Sequence, residues 1–244
     1  MTKIDEGSLQ ELVQKDVNLR LIEPHIYTVF QHDEAANFFD RMALFYDVVI
    51  CNPLYNRLMW GYSTKDYASL VHDALTSSTE GWVLDAGCGS LAFAAGTYLK
   101  DSERPVVLLD YSLNLLRIAK SRLIKLNGGV PDNMVFLQAD ALRLPFKPES
   151  FNTIISLNLL HVLKDLKSAL LGLRAVLAEN DAMVFTTLVK NNRKADRNLA
   201  RLLKKTSGVD ARDIGQLQEA FEELGMPITY DIKGNMAYIH CRRN

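Results

Sequence analysis

From Trp82 onward, short apolar runs alternate with stretches of helical spacing, and this alternation constrains the chain more than any other feature. The runs Trp82–Leu84, Val106–Leu109, Met134–Leu137, Thr153–Ser156 and Met183–Leu188 read as strands. Leu91–Lys100, Leu113–Leu126 and Leu166–Leu177 carry apolar residues at helical intervals between them. Strand and helix in strict succession imply βαβ units and a parallel, doubly wound sheet. Ser112 is placed as an N-cap, and Gly225 as the residue just past a helix spanning about Ile214–Leu224. The chain then changes habit. Ile228–Lys233 and Met236–Cys241 are joined only by Gly234-Asn235, which is the chemistry of a tight hairpin. The expected fold is therefore α/β: a Rossmann-like, seven-stranded, mostly parallel sheet closed by a C-terminal antiparallel hairpin.

Before the sheet, residues 1–75 read as an N-terminal helical cap, with 76–244 as the sheet domain in one compact unit. Leu9, Leu12 and Val13, then Phe38, Phe39, Met42, Phe45 and Tyr46, recur at helical spacing, punctuated by Pro24 and Pro53. No convincing buried strand is apparent in this part. The net charge of −1 argues against a generally polyanionic partner. Cys51, Cys88 and Cys241 are scattered without metal-ligand spacing and read as free thiols of a reducing compartment. The polar, acidic start is no signal peptide, and no apolar run approaches the ~20 residues of a membrane helix. A soluble, cytoplasmic protein is expected, with its oligomeric state left open.

The first strand runs into Asp85-Ala86-Gly87-Cys88-Gly89-Ser90. Two alternating glycines between a buried strand and a helix let a ligand approach the bare main chain. Asp110 ends the second strand, some two dozen residues further on, where a carboxylate can accept both hydroxyls of an adenosine ribose. Two cofactors suit this pair. Gly87-Cys88-Gly89-Ser90-Leu91-Ala92 satisfies the dinucleotide pattern G-x-G-x-x-G/A. It is equally the start of a D-x-G-x-G turn.

Three further segments favour the second. Asp85 stands two residues before the first glycine, Gln138-Ala139-Asp140-Ala141-Leu142-Arg143-Leu144-Pro145-Phe146 follows the third strand, and Ser150–Leu163 supplies a fourth strand and its loop. With the closing hairpin, these motifs resemble the class I S-adenosylmethionine-dependent methyltransferases over about 82–190. The segment Asn37–Asp47, with Asn56-Arg57-Leu58 and Trp60-Gly61, resembles the ubiquinone/menaquinone-biosynthesis C-methyltransferases and their small-molecule relatives. The resemblance implies S-adenosylmethionine as cofactor, S-adenosylhomocysteine as product and a small-molecule acceptor. It implies cofactor contacts from Asp85, Gly87, Gly89, Asp110, Tyr111, Ser112 and Leu157. Asp140 would meet the exocyclic amine, the Ala141 backbone the adenine ring, and Tyr46 would cover the methionine end.

Other features bear on function less directly. Asp47–Tyr55 mimics the strand and N-P-P-Y loop of amino-methylating nucleic-acid enzymes, but Leu54 replaces the second proline and the segment precedes the glycine turn. Leu91 occupies the usual third-glycine position, a bulky side chain expected beside the methionine moiety, and Asn152 replaces the usual acidic residue before the fourth strand. His161 is the candidate general base if an acceptor needs deprotonation, against a plain structural histidine at a helix start. Lys190–Lys194, Arg197, Arg201, Lys204 and Lys205 read as a solvated helix face, with contact to an anionic acceptor as the alternative. Nucleic acid is an unlikely partner at this charge. The competing readings are an RNA or protein methyltransferase, an NAD-type oxidoreductase and a non-catalytic nucleotide-binding module.

Overall fold

A computed structural model describes residues 3–31, 47, 51–77, 80–101 and 103–243. The described chain begins with α1 (Glu6–Leu12), β1 (Arg20–Glu23), β2 (Ile26–Thr28), α2 (Pro53–Met59) and α3 (Lys65–Ser77). The alternating part follows: β3 (Val83–Ala86), α4 (Ala95–Asp101), β4 (Val106–Asp110), α5 (Leu113–Asn127), β5 (Met134–Gln138) and β6 (Phe151–Leu157). A single 3-10 turn (Leu160–Val162) leads to α6 (Leu166–Val176), β7 (Leu177–Leu188), α7 (Asp196–Thr206) and α8 (Ile214–Glu222). The hairpin β8 (Ile228–Lys233) and β9 (Met236–Arg242) ends it.

The strands form one sheet in the order β1-β2-β5-β4-β3-β6-β7-β9-β8. From β5 to β8 these are the seven expected strands, parallel except where β9 pairs antiparallel with β7 and β8. The count rises to nine because the N-terminal segment adds two. There the expectation of a purely helical cap without a buried strand is corrected. β2 runs parallel to β5, with Ile26 opposite Phe136 and Thr28 opposite Gln138, and both Ile26 and Thr28 are fully buried. Pairing against a sheet edge stabilises this three-residue strand, which is too short to announce itself by periodicity.

Side chains alternate across the central strands, so that each face of the sheet carries its own core. Leu84, Val107, Leu137 and Ile154 pack on one face against α6 and α8, with Leu9 and Leu12 of α1 in the same cluster. Val83, Leu108, Phe136 and Ile155 pack on the other, with Val71 of α3, Ala95 of α4 and Leu116 of α5. Burial on both faces explains why the strands read as unbroken apolar runs.

Local chemistry sets the element ends. Ser112 caps α5, its Oγ accepting from the Leu115 N–H at 3.2 Å. Asp213 and Gln216 form a reciprocal capping box on α8. Gly225 takes φ +67 just past that helix, as expected of it. Asn52 accepts from the amides of Leu54 and Tyr55, with Pro53 opening α2, so the Asn-Pro-Leu-Tyr stretch is a capped helix start and not a strand loop.

Candidate active site

The carboxyl ends of β3, β4, β5 and β6 open onto a cavity of about 330 Å3, the position where open α/β sheets bind ligands. Its floor is the glycine turn. Gly87 takes φ +77, and its amide and that of Cys88 both donate to the Leu109 carbonyl, which draws the turn against β4. Gly89 takes φ +55 and faces open space, since a Cβ built on it meets nothing within 4 Å. The main chain is therefore bare toward the cavity at that residue.

Asp110 holds the turn from the next strand. Its Oδ2 accepts from the Gly89 N–H at 2.8 Å, and its Oδ1 accepts from the Ser112 N–H at 2.8 Å. A carboxylate oxygen can accept more than one hydrogen bond, as a pair of ribose hydroxyls requires. Tyr111 lines the same wall, its ring 5.4 Å from that of Phe30, which follows β2. Asp140 and Ala141 line the cavity beyond β5, where Asp140 Oδ1 accepts from the Leu142 amide at 2.9 Å. Leu157 closes the β6 side. Of the residues expected at the site, Gly87, Gly89, Asp110, Tyr111, Asp140, Ala141, Leu157 and His161 all line this cavity. Ser112 does not; it is buried as the α5 cap. Tyr46 lies outside the described residues.

Asp85 sits beneath the turn, beside a second, smaller cavity shared with Gly87, Gly89 and Leu91. Its Oδ2 accepts from the Tyr98 hydroxyl at 2.9 Å, while Oδ1 is buried with no hydrogen-bond partner among the described residues. Burial pushes the Asp85 carboxyl up to about 7, the Tyr98 hydroxyl opposes that rise, and the nearby Asp110 charge adds to it. An orphaned carboxylate oxygen under a bare glycine turn fits a ligand with a cationic group at that end. A second clamp holds the turn from outside. Arg122 of α5 reaches both carboxylate oxygens of Asp47 at 2.9 Å and bonds the Ser90 carbonyl, while the Ser90 hydroxyl donates to Asp47.

Leu91 is the departure from expectation. It adopts φ +55, a left-handed conformation that costs a non-glycine residue ~1–2 kcal/mol. The strain explains why α4 begins at Ala95, four residues later than the helical spacing implied. The side chain is 2% exposed and packs into the core with Val83, Ala95 and Tyr98. It is absent from the lining of the large cavity and borders the smaller one beside Asp85.

The far end of the cavity differs in kind. It is built by Tyr55, Asn56, Trp60 and Tyr62 from the 51–62 segment, by Val162 and Leu163, and by Leu188, Leu202, Leu203 and Thr206 from β7 and α7. The basic run therefore resolves into two faces: Leu199 and Leu203 are buried, while Arg197, Arg201, Lys204 and Lys205 are exposed. Asn158, missed in the sequence, borders both cavities. It takes φ +61, and its side-chain amide donates to the Tyr67 hydroxyl at 2.9 Å. No pattern marked it beyond its place directly after β6.

A parallel sheet with strands in this order, an antiparallel final hairpin and a carboxylate-clasped glycine turn define the fold of class I S-adenosylmethionine-dependent methyltransferases. The chain belongs to the methyltransferase domain family that matches residues 77–226. An uncharacterised chloroplastic methyltransferase of Arabidopsis thaliana is 33% identical over 110 residues, which is 45% of this chain and 31% of the plant protein. The chain thus matches about a third of that relative's length. Phosphoethanolamine N-methyltransferase 2 of Haemonchus contortus, solved with phosphomonomethylethanolamine and S-adenosylhomocysteine, superposes with a TM-score of 0.65 at 13% identity. That match covers 84% of this chain and 58% of the nematode enzyme. The YcgJ protein of Bacillus subtilis gives 0.58 at 16% identity, covering 73% and 99% of the two chains. The resemblance to ubiquinone-type enzymes is not among these findings.

Proposed function

We propose that this protein transfers a methyl group from S-adenosylmethionine to a small-molecule acceptor held in the far end of the 330 Å3 cavity. The observation that carries this reading is Asp110, which clasps the Gly89 amide while lining the cavity between the glycine turn and the Asp140-Ala141 loop. The residues fit the cofactor: a bare turn beside Gly89, a ribose-competent carboxylate at Asp110, a carboxylate at Asp140, and the unpartnered Asp85 oxygen for a cationic group. When bound, S-adenosylmethionine supplies a methyl group whose bond to sulfur breaks, the electron pair staying on sulfur, as the acceptor's nucleophile attaches. The protein's share is to align the acceptor and keep water out. The cap over the acceptor is the 51–62 segment, with Tyr55, Asn56, Trp60 and Tyr62 on the acceptor wall, while α1, β1 and β2 join the cofactor-binding sheet and its core. The free thiols of Cys51, Cys88 and Cys241 support a reducing, cytoplasmic setting.

His161 suits a donor role better than that of a general base. Its Nδ1 accepts from the Leu188 N–H at 3.3 Å, which leaves the ring proton on Nε2. Burial, reinforced by the Arg212 guanidinium, pulls its pKa down to about 4, so the ring is neutral and a weak proton acceptor. Calorimetry with S-adenosylmethionine, S-adenosylhomocysteine and NAD tests the cofactor. Binding of the two sulfur compounds with no binding of NAD is expected, and selective NAD binding would overturn the reading. Homocysteine release across an acceptor library, in an assay coupled through S-adenosylhomocysteine hydrolysis, then tests the transfer.

A further inference from the structure

The acceptor end of the cavity carries more information than the reading above uses. We infer that the acceptor is an uncharged, largely apolar molecule of aromatic type, with a hydrogen-bond-accepting oxygen placed against His161. The inference rests on the proposed methyl transfer and names the substrate class of the same site.

The chemistry of the described wall argues against a charged acceptor. Among the described residues, no Lys, Arg or Glu lines the cavity, and its two carboxylates, Asp110 and Asp140, belong to the cofactor end. A phosphate or carboxylate would need a cation or a set of unused donors, because burying an unpaired charge costs far more than burying an apolar ring. Arg212, the cation closest in influence to His161, is occupied elsewhere. Its two terminal nitrogens donate to the carbonyls of Leu160 at 3.2 Å and Leu163 at 2.9 Å. The basic residues of α7 face outward, on the side opposite Leu203. A cationic acceptor finds no carboxylate at this end among the described residues either.

Several of the polar side chains at this end are paired with one another. Tyr62 donates to Asn56 Oδ1 at 2.7 Å, and Asn56 Nδ2 donates to the Asn52 carbonyl at 2.9 Å. Asn158 is engaged with Tyr67 and Thr186. His161 shares this wall with the Tyr55 hydroxyl and the Trp60 indole N–H, and its Nδ1 is fixed by the main chain of β7, which leaves a proton on its other nitrogen. A fixed imidazole donor among Tyr55, Trp60, Leu188, Leu202 and Leu203 describes a pocket that gains affinity by burying a ring and orients it by an oxygen. The neutrality of the imidazole agrees, since an imidazolium would instead attract an anion.

The test uses the full chain saturated with S-adenosylhomocysteine, whose own binding, measured first, decides the underlying reading. If the nucleoside fails to bind, the methyltransferase reading fails. If it binds, the acceptor class is read with 2-naphthol, naphthalene and phosphoethanolamine as probes. Saturable binding of both aromatics is expected, with 2-naphthol about five- to tenfold tighter, the size of one hydrogen bond. Phosphoethanolamine should neither bind nor displace them. His161→Phe should erase the preference for 2-naphthol while keeping naphthalene, which simple loss of folding would not do. Leu202→Lys, at a partly exposed position, should weaken both aromatics by about tenfold with the nucleoside affinity unchanged. Displacement of 2-naphthol by phosphoethanolamine, or nucleoside binding with no aromatic binding, would overturn the inference.

Discussion

The two ends of one cavity are made in different ways. At the end proposed for the cofactor, the chemistry is main chain and carboxylate: Gly87, Gly89, Asp110 and Asp140 come from the tips of adjacent parallel strands. At the acceptor end, it is side-chain surface: Tyr55, Trp60 and Tyr62 meet Leu202 and Leu203 from a helix some 140 residues later in the chain. The first arrangement is local. Each of its residues sits at a fixed offset from a strand end, so a cofactor common to many acceptors can be held by a motif. The second depends on how distant segments dock, and it can change without touching the first.

The sharpest way to break the comparison is to remove Asp110. It accepts from the Gly89 and Ser112 amides, beside the glycine turn. Asp110→Ala should weaken S-adenosylhomocysteine by about a hundredfold or more, as expected for losing charge-assisted bonds to ribose. The sheet, buried on both faces, should still melt cooperatively. Calorimetry and circular dichroism check both halves. An unchanged dissociation constant would remove Asp110 from the site.

Next comes a change that strikes the acceptor end alone. Gly234, at the tip of the β8–β9 hairpin, takes φ +64, and a Cβ there would lie 2.1 Å from the Trp60 carbonyl oxygen and 2.6 Å from the Gly61 carbonyl carbon. The Asn235 amide donates to that same Trp60 oxygen at 2.8 Å. The hairpin therefore props the Trp60 wall. Gly234→Ala should cost about 2 kcal/mol or more in urea unfolding, combining backbone strain with a displaced contact. Its effect on S-adenosylhomocysteine affinity should stay within about threefold, well below that of Asp110→Ala. Equal losses at both ends would show them coupled.

A pH titration sharpens the cofactor end further. Because the Asp85 carboxyl is raised to about 7 from 3.8, the folded protein binds a proton that the unfolded chain releases. Stability of the unliganded protein should therefore fall as pH rises between about 4 and about 7. A cationic ligand group prefers the ionised carboxylate, so affinity for S-adenosylhomocysteine should rise by up to about tenfold from pH 6 to 8. Asp85→Asn should flatten that rise. A pH-independent affinity in the parent protein would show that Asp85 meets no cationic part of the ligand.

What the sequence disclosed follows the same division. The turn, Asp110, the Asp140-Ala141 loop, the Ser112 cap and the terminal hairpin were legible because each is encoded by a few neighbouring residues of special geometry. β2 was not, since Ile26-Tyr27-Thr28 is stable only as an added edge beside β5. The acceptor wall was not, since nothing local in Tyr62 or Leu202 says that they meet. The basic helix was half legible: its charged face stood out, while its buried face required knowing what lay underneath. Hydrophobic contacts between distant segments leave no spacing in the chain to read.

Leu91 is where local reading misleads, and it yields the smallest expected effect. A bulky residue at a glycine position suggests a blocked cofactor site. Its left-handed backbone instead packs most of the side chain into the core, at the edge of the smaller cavity beside Asp85. Leu91→Gly should relieve ~1–2 kcal/mol of backbone strain. It would also forfeit a buried leucine, typically worth ~2–5 kcal/mol, so the net change in chemical denaturation is a modest destabilisation. Affinity for S-adenosylhomocysteine should move by less than about twofold. A large gain in affinity would mean that the leucine does crowd the cofactor, and that the turn and the core behind it are not separable after all.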